Sequence, residues 1–288
     1  CTVRLNELMS GHTSFKIGGP ADILVLPESI EQLREVLKVV KETVVPLTLL
    51  GNGSNVLVRD KGIRGIVIKL GNMLRHFYEA EDLLVFGSGY SLALASYKAM
   101  ECGKTGMEFA VGIPGSIGGA VYMNAGAYDG EMQNIVNCVK VMDLQGNERV
   151  LTAEELNFGY RKTSLQNSGL IVTEVTLKMP SGNKDEIKSK MDDFSHRRIS
   201  KQPLEMPSAG SMFKRPPGYF AGTLIDQAGL KGYTVGGAQI STKHAGFVVN
   251  VGGATAADVL QLIKDVQTKI KAGVGVELQP EVLVIGEE

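Results

Sequence analysis

The sequence predicts an α+β protein of two parts, and three observations carry that prediction. Short apolar runs of strand character alternate with amphipathic helical stretches from residue 21 onward. A break at Pro180-Ser181-Gly182-Asn183-Lys184 separates a glycine-rich first part from a final stretch that reads as self-contained. The length, 288 residues, suffices for roughly two domains that bury about three quarters of the unfolded surface.

Ala21-Asp22-Ile23-Leu24-Val25-Leu26-Pro27 reads as a strand ended by proline. Ser29 and Gln32 then form a capping box, and Ile30, Leu33, Val36, Leu37 and Val40 fall on one face of the following helix. Strands at 46–50 and 65–69 complete a small β-α-β-β unit. A second unit opens with the strand Leu83-Leu84-Val85-Phe86 and turns at Gly87-Ser88-Gly89. It then runs into a helix from about Ser91 to Cys102, stopped by Gly103. Strand-like pieces follow at 135–143 and 170–178. Beyond the break come a charged helix at 185–199 and a loop with Pro203, Pro207, Pro216 and Pro217. Helix 220–228, closed by Gly229, and strand 246–251 follow. Helix 255–271 starts on the box Thr255/Asp258 and shows Ala257, Leu260, Leu262, Ile263 and Val266. Glu281-Val282-Leu283-Val284-Ile285 is the last expected strand.

Composition removes several function classes. With 30 Lys and Arg against 31 Asp and Glu, the net charge of −1 gives no basic surplus for nucleic acid. Cys1, Cys102 and Cys138 make no CxxC pair and no disulfide framework, so a reducing cytoplasm is expected. No apolar run approaches the roughly twenty residues of a membrane span. The four histidines are scattered, HExxH and HxH are absent, and no bound metal is expected.

The segment Gly112 to Gly126, GIPGSIGGAVYMNAG, carries five glycines interleaved with apolar residues. Glycine lets the backbone turn through positive φ and lets another group come close; apolar neighbours imply burial. Such a stretch suggests main chain moulded against a ligand. A second loop, Gly51-Asn52-Gly53-Ser54-Asn55, lies between two strand-like runs, where successive N–H groups can form an anion-binding nest. Taken singly it reads equally well as a hairpin turn. Together the two loops suit an extended anionic cofactor with a diphosphate. GxxxxGK[ST] is absent, and Gly87-Ser88-Gly89 lacks the third glycine of a Rossmann fingerprint, where Leu92 stands. Spacing alone assigns no chemistry to Arg161, Ser211 or Glu281: it leaves them as a surface charge, a turn serine and a solvated carboxylate at a strand entry.

Six ordered blocks change that reading: HTSFKIGGPAD (12–22), LLGNGSNVLV (49–58), GMEFAVGIPGSIGGAVYMNAGAY (106–128), FGYR (158–161), KQPLEMPSAGSMFKRP (201–216) and LQPEV (278–282). Together they resemble the UDP-N-acetylenolpyruvoylglucosamine reductase family across essentially the whole chain. The close spacing of Arg161 and Ser211, without a tyrosine-bearing insertion, is similar to its short-form branch. The resemblance implies an FAD-binding fold of the vanillyl-alcohol-oxidase type, two α+β subdomains, plus a C-terminal α+β substrate domain. The expected boundaries are 1–183 for the FAD region, with subdomains of about 1–74 and 75–183, and 184–288 for the substrate domain. It implies that NADPH reduces FAD and that UDP-N-acetylglucosamine enolpyruvate then receives hydride at its vinyl C3. No nucleic-acid, membrane or protein partner is implied.

Residue by residue, the resemblance places FAD against Leu50, Gly51, Asn52, Gly53, Ser54 and Asn55, and against Gly112, Ile113, Pro114, Gly115, Ser116, Gly119 and Ala120. It makes Arg161, Ser211 and Glu281 catalytic: Arg161 on the substrate carboxylate, Ser211 as the proton donor to C2, and Glu281 as a protonated or proton-sharing acid. An ionised Glu281 would repel the enolate that forms. Tyr160, Lys201, Arg215 and Tyr219 contact substrate, with Lys201 on its diphosphate. Arg215 stands where the family often has asparagine, and His12 where asparagine is also common. Two other readings are another flavin oxidoreductase acting on a hydroxy acid or lactone, and a flavin- or nucleotide-sugar-binding module without turnover.

Overall fold

The computed structural model describes residues 1–70 and 74–288. The expected subdomain boundary near 74 adjoins residues 71–73, which lie outside the described residues. The chain divides into two compact units, each built from separated segments. The first comprises residues 1–3, 24–52 and 66–198; the second comprises 4–23, 53–65 and 199–288. This partition differs from a single cut at 183. It groups most of the helix after the Pro180–Lys184 break with the first unit, where Ile187, Met191 and Phe194 pack beside Val111.

In the first unit, helix α1 (Ile30–Thr43) starts at Ser29, whose Oγ accepts from the Gln32 N–H at 3.2 Å. The Gln32 side chain accepts from Glu28 N–H at 2.9 Å, one residue further back than a reciprocal box requires. Leu33 and Leu37 are the buried members of its apolar face. Strand Leu47–Leu50 pairs in parallel with Ile66–Lys69.

A five-stranded sheet dominates the rest of this unit. Its order is Glu148–Thr152, Val136–Met142, Ile171–Lys178, Leu83–Gly87, Phe77–Ala80, and every neighbouring pair is antiparallel. An antiparallel Leu83–Gly87 is incompatible with a Rossmann site at Gly87-Ser88-Gly89, which needs a parallel β-α-β crossover. Helices α2 (Leu92–Glu101) and α3 (Ile117–Tyr122) bury Leu92, Ala95, Ala99, Ile117, Ala120 and Val121 in one core with Leu84, Phe86, Val139 and Val175. Helix α4 (Lys184–Lys201) buries Ile187, Met191, Phe194 and Arg198. These are steps of four, three and four residues, so one stripe of the helix faces inward.

In the second unit, an antiparallel sheet runs Ser208–Ser211, Phe247–Asn250, Ala238–Ile240, Thr234–Val235. Helix α5 (Ala221–Gln227) and helix α6 (Ala256–Val274) join its core. The box that starts α6 is complete: Asp258 N–H donates to Thr255 Oγ1 at 3.1 Å, and Thr255 N–H to Asp258 Oδ2 at 2.9 Å. Its buried face is Ala256, Val259, Leu262, Ile263, Val266 and Ile270. Ala257 is exposed and Leu260 half-buried, so the expected face turns back by one position at the first helical turn. Phe15, Ile17 and Leu57 share this core, although they are far away in sequence.

Candidate active site

Gly51–Asn55 is a link between two sheets and not a hairpin. The strand before it pairs with Ile66–Lys69, while Val56–Val58 after it pairs in parallel with Leu283–Ile285. Two glycine-rich corners converge within the first unit. A Cβ built on Gly51 would stand 3.2 Å from Ser116 Oγ, so the loops after Leu50 and before α3 lie against each other. Ser116 is buried, and its Oγ accepts from Gly119 N–H at 3.3 Å.

Arg161 sits in a tight turn, closed by reciprocal Gly159–Lys162 main-chain bonds of 2.9 and 3.1 Å, with a left-handed φ of 56°. Its guanidinium donates to Asn124 O at 3.3 Å and Gly126 O at 3.0 Å. It also lies over the Tyr160 ring, 5.0 Å from the centroid. Asn124 is fully buried. Its Nδ2 donates to Gly159 O at 3.0 Å and to Glu131 Oε2 at 3.1 Å, and its Oδ1 accepts from Gln133 N–H at 3.0 Å. The far end of the glycine-rich stretch therefore holds the arginine.

Ser211 and Glu281 come together in the second unit. Pairing is irregular between Ser208 and Ser211, Gly210 has φ of 79°, and Ser211, opposite Phe247, is exposed. Such a bulge re-aims a side chain at the end of a strand. Glu281 N–H donates to Met212 O at 2.9 Å, and Lys214 N–H to Gln279 O at 2.8 Å, so the two segments run side by side. Glu281 precedes the last strand, Leu283–Ile285, and is half-buried; the expected strand began two residues earlier. Asn55 Nδ2 donates to Glu281 O at 3.2 Å, and Leu283 N–H to Asn55 O at 3.0 Å. The HTSFK block supports the same region: Ser14 Oγ donates to Ser208 O at 2.7 Å and Ser14 N–H to Gly53 O at 3.0 Å.

The expected substrate contacts are surface groups. Lys201 ends α4, and Arg215 lies 4.0 Å over the Phe220 ring. Tyr160 and Tyr219 are about half exposed, at 51% and 46%. His244, half-buried, accepts from Gly246 N–H on Nδ1 at 3.0 Å. Burial holds its pKa below the ordinary value, and the charges of Lys231 and Lys201 act the same way.

Three buried side-chain atoms lack a hydrogen-bond partner among the described residues: Ser88 Oγ, Arg198 Nε and Gln202 Oε1. Two of them stand against the glycine-rich stretch. A Cβ on Gly118 would meet Ser88 Cβ at 2.7 Å, and one on Gly112 would meet Arg198 Cδ at 2.5 Å. No sequence motif singles out Arg198. Its signal was available in the α4 stripe, whose next inward position holds arginine where an apolar residue is the rule.

Residues 21–152 match a family model described as FAD binding domain, and residues 202–285 match the C-terminal domain of UDP-N-acetylenolpyruvoylglucosamine reductase. A reductase of that name from Clostridioides difficile is 49% identical over 286 residues, covering 99% of this chain and 94% of the relative. One from Caldanaerobacter subterraneus is 48% identical over 284 residues, covering 99% and 94%. The crystal structure of the Thermus caldophilus reductase superposes with a TM-score of 0.84 at 39% identity, covering 98% of this chain and 99% of that one. The residues present fit FAD: two converging glycine corners for close main-chain approach, flanked by unsatisfied buried donors. On the shared fold and on identity over almost its full length, the chain belongs to the UDP-N-acetylenolpyruvoylglucosamine reductase family, flavoprotein oxidoreductases that carry FAD.

Proposed function

We propose that this protein uses NADPH to reduce UDP-N-acetylglucosamine enolpyruvate to UDP-N-acetylmuramate, in the cytoplasm, with Arg161, Ser211 and Glu281 as its catalytic residues. The observation that carries the residue assignment is the pairing of the Ser211–Met212 segment with Glu281, which joins two isolated motif residues into one cluster. When bound, FAD supplies hydride transfer from NADPH to the vinyl C3 of the substrate. Negative charge then develops at C2 and spreads into the carboxylate. Arg161 meets that charge with a planar fork of donors that a lysine lacks. Ser211 gives its hydroxyl proton to C2, and Glu281 stabilises the enolate as a hydrogen-bond donor. Lys201 pairs with the substrate diphosphate, while Arg215 and Tyr219 border the uridine. The functional division at 183 belongs to the same proposal, with residues 184–288 presenting the substrate.

Anaerobic spectra of the purified flavoprotein test the reading. NADPH is expected to bleach the flavin, and the enolpyruvyl sugar nucleotide to restore its colour in one turnover. Bleaching by NADPH followed by reoxidation only with a hydroxy-acid-derived or lactone-derived acceptor would exclude this substrate.

A further inference from the structure

Arg198 is the one member of the α4 stripe whose side chain is charged, and it is only 9% exposed. Among the described residues, its Nε has no hydrogen-bond partner and it forms no ion pair. The preceding inward positions of α4 supply no counter-charge: Met191 and Phe194 cluster with Val111, next to Gly112, and Tyr128 stacks on Phe194 at 4.3 Å. Taking an unpaired guanidinium out of water costs several kcal/mol, and a leucine or methionine would complete the stripe without that cost. Gly112 shows where the group points. A Cβ there would stand 2.5 Å from Arg198 Cδ and 2.9 Å from Nε, so any other residue would push the arginine off the loop. The arginine lies outside both matched spans, 21–152 and 202–285.

We propose that Arg198 is the cationic anchor for the diphosphate of FAD, reaching it across Gly112. The diphosphate carries the ionised groups of oxidised FAD at neutral pH, and a guanidinium binds such oxygens through paired N–H groups. The inference rests on FAD binding and is independent of the roles given to Arg161, Ser211 and Glu281.

The test compares FAD with riboflavin, which has the ring but no phosphate, by fluorescence titration of the apoprotein. In Arg198→Met, the dissociation constant for FAD is expected to rise on the order of 10- to 100-fold, while that for riboflavin stays unchanged. Arg198→Lys should fall between, since it keeps the charge and loses the fork. The melting temperature of the apo Met variant should equal or exceed that of the wild type, while the upward shift produced by FAD shrinks. Equal weakening of FAD and riboflavin, or a lowered apo melting temperature with the FAD-to-riboflavin ratio intact, would assign Arg198 a packing role and overturn the proposal. Unchanged FAD affinity with a raised KM for NADPH would move the anion to the nicotinamide nucleotide and overturn it as well.

Discussion

In the first unit, the turn that carries Arg161 is tied down by a side chain. Asn124 is buried completely, and its amide ties the 159–162 turn to the end of the glycine-rich stretch through three polar groups: Gly159 O, Glu131 and Gln133 N–H. In the second unit, Ser211 takes its place from main-chain geometry: an irregular pairing, a left-handed Gly210 and a neighbouring segment that ends in Glu281. The difference is one of fragility. A side-chain scaffold fails when one amide is removed, whereas a main-chain scaffold fails only when its dihedral angles change.

The largest expected effect tests the chemistry placed at the second scaffold. With Ser211→Ala, NADPH should still bleach the flavin. Reoxidation by the enolpyruvyl substrate should slow on the order of 10²–10³-fold, the usual consequence of losing one placed donor. Undiminished reoxidation in stopped-flow traces would remove Ser211 from the reaction. Next comes Asn124→Ala, which removes a fully buried amide and its bonds to Gly159 O, Glu131 and Gln133 N–H, while Gly159 O keeps its bond from Lys162 N–H. A loss of about 1–3 kcal/mol is expected in urea unfolding, together with a fall in kcat/KM. If kcat/KM holds while stability drops, Arg161 does not depend on this amide.

Gly210→Ala sharpens the contrast. No atom lies within 4 Å of the added Cβ, so the cost is backbone strain alone, about 1–2 kcal/mol. Activity should fall further than the melting temperature does, because the strain relaxes by turning Ser211. The smallest effect is electrostatic. His244 has its pKa depressed below 6.5 when folded, so the unfolded chain binds the extra proton first. Stability contributed by the neutral ring is complete above the unfolded pKa and is lost as pH falls below about 6.5. In urea titrations across that range, His244→Gln should show a shallower decline than the wild type.

Local pattern revealed much of the architecture. The caps at Ser29 and Thr255, the stops at Gly103 and Gly229, and the break before α4 are all sequence-local signals, and elements begin or end beside them. The site was legible only through the six motif blocks, because its geometry is long-range. Ser211 has no base or partner nearby in the chain; its neighbour Glu281 arrives seventy positions later through Met212 O. The left-handed φ of Arg161 is imposed by a turn that residue type does not announce. The loop at 51–55 resembled a hairpin because the strands on either side are short and adjacent, and only their partners, Ile66–Lys69 and Leu283–Ile285, distinguish a link from a turn. From sequence Ala257 reads as inward because two adjacent alanines offer no contrast in polarity at the start of α6.

The second unit draws its core from Phe15, Ile17 and Leu57 as well as from residues beyond 199, and its final strand lies on Val56–Val58. Vectorial synthesis therefore leaves the early segments waiting: those three side chains have no interior to enter until more than two thirds of the chain has been made. Contacts of such long sequence separation fold slowly. During that delay the nascent polypeptide exposes apolar surface that invites association. A severed fragment starting at 199 would lack the same three side chains and leave a hole in its own interior.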